Sequence, residues 1–190
     1  QIAYAANFGR ALAKLHHITA ATFGLDHDNF IGELPQPNTP TATWAQFYRD
    51  QRIAVQIEIA RDRNYLPPYR EAMLRTMLDR IESILGGAPN PPSLIHGDLW
   101  SGNYFAAPGN QPALFDPAVY YGDRELEIAY AELFGASPFF LDAYRVNYPL
   151  DPGYEYRRPL LQLYAMLVHL NHFGEQYGEH VDAICRHYLT

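Results

Sequence analysis

Three oxygen-bearing side chains stand at intervals that chemistry could use. Asp98 lies in the stretch His96-Gly97-Asp98-Leu99-Trp100-Ser101-Gly102-Asn103. Asn103 closes that stretch, and Asp116 follows two further short apolar runs, in Phe115-Asp116-Pro117. A loop carboxylate can orient a hydroxyl and take its proton. A carboxamide and a second carboxylate supply the hard oxygen ligands that magnesium prefers. Together these are the groups that transfer of a phosphoryl group from a nucleotide to an alcohol requires. Each part alone says little, since His-x-Asp arises by chance and Asp-Pro is an ordinary turn. The combination of loop Asp, Asn five positions on, hairpin and second Asp is far more specific. His96 is read as a structural residue that holds the loop backbone, with no chemical step of its own.

The elements that must position these residues can be read from hydrophobic spacing and turn residues. Phe8, Ala11, Leu12, Leu15 and Ile18 fall on one face of a helix over 2–18. The stretch FGLDHDNFIGELPQPNTPT is rich in Gly, Pro, Asp and Asn and reads as a long loop. Thr43 and Gln46 fit a capping box that opens a helix running to about Arg63. Pro67-Pro68 starts a further helix with a stripe of Leu74, Met77, Leu78, Ile81, Ile84 and Leu85, stopped by Gly86-Gly87. From Pro89 the character changes, and short strands are expected at 94–95, 104–106 and 113–115. Helices return over 125–134, after Ser137-Pro138, over 158–173 and over 179–188. The predicted fold class is therefore mainly α with a few short β strands.

At 190 residues with 48% apolar content the chain can bury a core as a single domain, and disorder is excluded. One cysteine, Cys185, excludes a disulfide framework and a Cys-rich zinc module, and it reads as an inert structural thiol. The net charge of -7 argues against nucleic acid as a partner. No apolar run approaches the roughly 20 residues of a spanning helix, and no signal-peptide pattern opens the chain, so no membrane partner and a cytoplasmic setting are expected.

Several stretches, LIHGDLWSGN, LFDPAVYYGDRE, AELFG, PLDPGYEYRRPLLQLY, HLNHFG and FGLDHDNFIGELPQPN, resemble the fructosamine (ketosamine) 3-kinases, in that family's order and from about Phe8 to Tyr177. HGD with a following Asn is shared with aminoglycoside phosphotransferases and choline kinases. The DPAVYYGDRE and DNFIG-PQ-N stretches are more specific. The resemblance implies the C-terminal lobe of a protein-kinase-like fold spanning 1–190. It implies phosphorylation, with ATP and Mg2+, of the 3-hydroxyl of a ketosamine, which leads to deglycation of a glycated amine or protein. Asp98 would then be the catalytic base, Asn103 and Asp116 the magnesium ligands, and Trp100 a flat surface for the sugar. Asn171 or His172 could reach the sugar from the end of their helix. Related phosphotransferases carry an Asp in the helix after the Gly-Asp turn. Here that place is taken by Glu127, one methylene longer, which could brace the loop beside His96.

No Gly-rich phosphate loop and no Lys in a strand context of the VAIK kind is present. In this architecture both belong to an N-terminal ATP-binding lobe, so the expectation is a lobe with little turnover of its own. Magnesium would also have to offset repulsion between ATP and a carboxylate-lined cleft. Other readings stay open: a phosphotransferase for another alcohol of the aminoglycoside or choline type, a metal-dependent hydrolase using His96 and Asp98, or a non-catalytic ketosamine-binding fragment. Weaker features have plainer readings. His169 and His172 share a helical face and read as core histidines. His16, His17 and His27 read as solvated or capping groups, and the charges over 49–63 as a solvated helix face. Asp26, Asp28 and Asn29 read as holding their own turn. Some of the aromatic content, at Trp100, Tyr120, Tyr121 and Phe173, could line a sugar site.

Overall fold

The computed structural model describes residues 2–86 and 90–189. Its helices are α1 (Ile2–His16), α2 (Trp44–Phe47), α3 (Ala54–Asp62), α4 (Pro68–Leu85), α5 (Arg124–Leu133), α6 (Pro138–Asn147), α7 (Tyr154–Phe173) and α8 (Gly178–Leu189). The strands are short: β1 (Asn29–Ile31), β2 (Leu34–Gln36), β3 (Ser93–Ile95), β4 (Tyr104–Ala107), β5 (Gln111–Leu114) and β6 (Tyr120–Gly122). They form antiparallel two-stranded ladders, β1 with β2, β3 with β6 and β4 with β5. The chain is thus mainly α with a few short strands, the class its sequence predicts.

The amphipathic stripes become the core. Phe8 and Leu12 of α1 are buried against α6, and Gly9 lets the two backbones touch. A Cβ at Gly9 would stand 2.3 Å from the Phe140 carbonyl oxygen, so no other residue fits that crossing. The longest helix, α7, is apolar nearly all round and packs on α3, α5 and α8. Pro68 occupies the first turn of α4 and Pro138 that of α6, where a missing N–H costs nothing. Thr43 accepts from the Gln46 amide N–H at the start of α2. Helix α4 ends at Leu85 with Gly86 as its cap. Gly87 and Pro89 lie outside the described residues.

Three expectations need correction. The stretch read as a plain loop holds the β1–β2 hairpin, turned by Gly32 and Glu33 with Gly32 at φ 57°. Asn29, Gln36 and Asn38 fasten it. Asn29 Oδ1 accepts from both Gln36 Nε2 and Asn38 Nδ2, and Asn29 Nδ2 and Gln36 Nε2 donate to the Val119 and Ala118 carbonyls. Second, the helix from Thr43 is interrupted by a π-helical stretch, Tyr48–Ile53, which turns Arg52 inward rather than onto a solvated face. Arg52 is fully buried, donates to Pro37 O and Asn38 Oδ1, and lies 3.9 Å over the Tyr120 ring. Third, β6 was not anticipated. It places Tyr120 under Arg52 and Tyr121 opposite Leu94, so neither ring lines a sugar site.

β3 leads directly into the Asp98 loop, the β4–β5 hairpin leads to Asp116, and β6 leads into α5. At the start of α5 Asp123 caps the helix by accepting from the Glu125 N–H. Burial, then the neighbouring Glu125 carboxylate, pushes the Asp123 carboxyl up to about 7. Its protonated form therefore contributes stability that is complete below the unfolded value of about 3.9. That contribution is lost as the pH rises to about 7. Asp123→Asn keeps the cap and removes the titration. The variant is expected to be more stable than the parent at pH 7.5, with the difference shrinking below about pH 7 and closing only near pH 4, as read by urea denaturation at each pH.

Candidate active site

The Gly97–Asn103 loop is held by groups far away in sequence. The Glu127 carboxylate, buried in α5, accepts from the His96 N–H (3.1 Å) with one oxygen and the Gly97 N–H (2.7 Å) with the other. The first oxygen also meets His16 Nε2 at 2.9 Å, and His16 Nδ1 meets the Tyr144 hydroxyl at 2.7 Å. His16 is therefore not a solvated cap. It is fully buried at the end of α1 and ties that helix to the loop. Burial pushes the Glu127 carboxyl up, but the hydrogen-bonded His16 ring and the Gly97 N–H outweigh it and hold the group below the usual carboxylate range.

His96 uses both ring nitrogens on the backbone. Nε2 meets the Phe115 carbonyl at 2.9 Å, and Nδ1 accepts from the Asp98 N–H at 3.3 Å. These partners assign the neutral ring with the proton on Nε2. No lone pair is left for a metal, which argues against the hydrolase reading. Gly97 sits at φ 84°, and a Cβ there would strike the Ala118 carbonyl oxygen at 2.1 Å, so only glycine allows the turn.

The Asp98 carboxylate is gripped at both oxygens. Oδ2 accepts from Asn103 Nδ2 at 2.8 Å, and Oδ1 accepts from the Tyr130 hydroxyl at 2.5 Å. Asn103 Nδ2 also donates to the Asp98 carbonyl at 2.9 Å, which fixes the amide with its nitrogen on the loop and leaves Oδ1 as the atom that could bind a ligand. Asp116 is exposed and has a left-handed backbone at φ 53°, set after the β4–β5 hairpin. Asp98, Asn103, Asp116, Trp100 and His172 all line one cavity of about 610 Å³, with Glu33, Tyr130, His169, Phe173 and Tyr177 among the other walls. Its lining holds three carboxylates and no Lys or Arg. Trp100 is half exposed, and its ring lies against Gly102, where a Cβ would come within 2.2 Å of it. Two oxygen donors, Asn103 Oδ1 and the Asp116 carboxylate, suit a hard cation whose remaining ligands come from phosphate and water.

Asn171 does not belong to this cavity. It is buried, and its amide donates to Gln56 O and Gln56 Oε1 at 2.9 and 2.8 Å, tying α7 to α3. Neighbours on a helix point about 100° apart, so His172 faces the cavity while Asn171 faces away from it. His172 Nε2 meets the Ile31 carbonyl at 3.1 Å, which joins the end of α7 to the β1–β2 hairpin. His169, on the same cavity face, meets the Ala165 carbonyl through Nδ1 at 2.8 Å, and burial holds it below its ordinary value. Sequence reasoning missed Tyr130. The signal was available: it stands three positions after Glu127, on the same face of α5.

The sequence profile of the fructosamine kinase family matches residues 2–190. A protein of Lactiplantibacillus plantarum assigned as a ketoamine kinase is 42% identical over 181 residues, covering 95% of this chain and 65% of that protein. The chloroplastic protein-ribulosamine 3-kinase of Arabidopsis thaliana is 36% identical over 190 residues, covering 97% and 57%. A crystal structure assigned as a fructosamine-3-kinase of Thermobifida fusca superposes with a TM-score of 0.93 at 38% identity, covering 100% of this chain and 66% of that one. The chain thus spans 65% or less of the length of these two sequence relatives. With the fold, the order of motifs and the whole-length profile match in agreement, the chain belongs to the fructosamine kinase family.

Proposed function

We propose that this chain carries the acceptor-side half of an ATP- and magnesium-dependent kinase that phosphorylates the 3-hydroxyl of a ketosamine. The observation that carries the reading is Asp98, held at both oxygens on the wall of a cavity that Asn103 and Asp116 also reach. The sugar belongs against Trp100 and His172, with its hydroxyl toward Asp98. Asp98 orients that hydroxyl and accepts its proton as the oxygen attacks the terminal phosphorus. Magnesium, when bound, neutralises charge on the phosphate oxygens, and Asn103 Oδ1 and Asp116 are the residues that would hold it. His96 and Glu127 keep the loop in place. The cavity lining carries no Lys or Arg, so cationic groups for the nucleotide phosphates fall to an N-terminal lobe, and these residues alone turn over little ATP.

The choice of a ketosamine rests on relatives named as ketoamine and ribulosamine kinases. An acidic lining also suits an acceptor whose linking amine is cationic. The full-length protein is given ATP and magnesium with fructosyl-lysine, ribulosyl-lysine, choline or kanamycin, and products are followed by phosphorus NMR. A new phosphate monoester is expected with a ketosamine and not with choline or kanamycin. Phosphorylation of choline or kanamycin alone would refute the acceptor assignment, and ketosamine binding without product would favour a non-catalytic role.

A further inference from the structure

We propose that Tyr130 is a positioning residue for Asp98. Its hydroxyl locks the rotation of the carboxylate, so that the group meets the acceptor hydroxyl in one orientation. The proposal rests on the reading of Asp98 as the group that takes the acceptor's proton.

An Asp carboxylate turns easily about its last torsion, whose energy wells are broad. One donor leaves that torsion loose, whereas donors at opposite oxygens define its plane. Asn103 Nδ2 supplies one at Oδ2 and the Tyr130 hydroxyl supplies the other at Oδ1. Asn103 belongs to the same loop as Asp98 and moves with it. Tyr130 belongs to α5 and gives the carboxylate an anchor outside the loop.

That anchor is itself fixed. Tyr130 is 5% exposed, and its ring lies 4.8 Å from the Phe134 ring, centroid to centroid. One turn earlier on the same face, Glu127 holds the His96 and Gly97 amides. Helix α5 therefore grips the loop twice, by its backbone at the start and by its key side chain in the middle. Burial and the Asp98 charge hold the Tyr130 hydroxyl in its protonated form, so it donates to Asp98 and does not compete for the acceptor's proton. The acceptor's proton ends on Asp98 as the new P–O bond forms and the bond to the departing nucleoside diphosphate breaks.

The test compares Tyr130→Phe, Tyr130→Leu, Asp98→Asn and the Tyr130→Phe/Asp98→Asn pair in the full-length protein. Tyr130→Phe keeps the ring and removes the hydroxyl. It is expected to lower kcat about tenfold, in line with loss of a hydrogen bond to a charged group. The KM for acceptor and for ATP stays within about twofold of the parent, because only the transition state needs the fixed orientation. On the Asp98→Asn background Tyr130→Phe is expected to cost nothing more, since the residue acts through Asp98. Each of the following results would overturn the proposal. Parental kcat in Tyr130→Phe with loss only in Tyr130→Leu would make the ring a packing group. A raised acceptor KM at unchanged kcat would make Tyr130 a substrate contact. A further loss on the Asp98→Asn background would make it act independently of Asp98. If Asp98→Asn itself retains parental turnover, the reading of Asp98 fails and the positioning role falls with it. If Asp98→Asn is inactive and Tyr130→Phe is unaffected, the positioning role fails alone.

Discussion

Asp98→Asn in the full-length protein is expected to lower kcat by about 10²- to 10⁴-fold, the range that a positioned general base contributes. The substitution keeps size and shape but removes the basic site. An amide can still accept the Tyr130 hydroxyl through its oxygen. Its nitrogen then faces Asn103 Nδ2, which donates to Asp98 Oδ2 in the parent. Two donors in contact would push the Asn103 amide to turn, exchanging its oxygen for its nitrogen on the cavity side. The variant thus removes the base directly and disturbs a proposed magnesium ligand indirectly. The two effects separate by measurement. Loss of the base lowers kcat at saturating magnesium, whereas a turned Asn103 raises the magnesium concentration needed for half-maximal rate. Thermal stability should change little, because Asp98 lies on a cavity wall. Turnover above about a tenth of the parental value would show that the proton leaves the acceptor by another route.

The parts of the site that were legible in the sequence are those that lie close together along the chain. Asp98 and Asn103 share a loop, and Asp116 follows the next hairpin, so residue type and spacing alone suggest their chemistry. Tyr130 meets Asp98 across 32 residues of sequence, and His16 meets Glu127, which holds the loop, across 111, and no local pattern reports such contacts. His16 reads locally as a basic residue at a helix end, a common solvated cap. Only the packing of α1 and α6 around it shows a buried ring with partners on both nitrogens. Asn171 failed for a different reason. The resemblance placed the end of this helix near the sugar and left Asn171 and His172 as alternatives, and one residue along a helix changes the face. The β1–β2 hairpin was hidden because its strands are three residues long and one contains Pro35. A strand that short has no periodicity to read, and its stability comes from the Asn29, Gln36 and Asn38 side chains rather than from the ladder. The same network accounts for Arg52, whose inward turn depends on the π-helical register and not on its own residue type.

Glu127→Gln is expected to be the most damaging single change for both stability and rate. Both oxygens of Glu127 accept from buried donors: the His96 N–H and His16 Nε2 on one, and the Gly97 N–H on the other. A glutamine has only one acceptor oxygen, and its amide would point N–H groups at an N–H partner. Removing one member of a buried charged network costs about 3–5 kcal/mol, because the remaining groups stay buried without partners. For a chain of this size that corresponds to a fall in Tm of about 10 °C. Glu125→Gln supplies the control. Glu125 is equally buried and pairs with Arg157 at 2.8 Å, but its other partner is the Asp151 N–H, away from the Asp98 loop. Both substitutions should lower Tm by similar amounts. Only Glu127→Gln should also lower kcat per folded molecule at a temperature well below both transitions, because only Glu127 sets the start of the loop that carries Asp98. Equal loss of Tm with equal, parental kcat in the two variants would show that Glu127 stabilises the fold without positioning the site. A parental Tm in Glu127→Gln would show that the His16 and Gly97 donors find other acceptors when the carboxylate is gone.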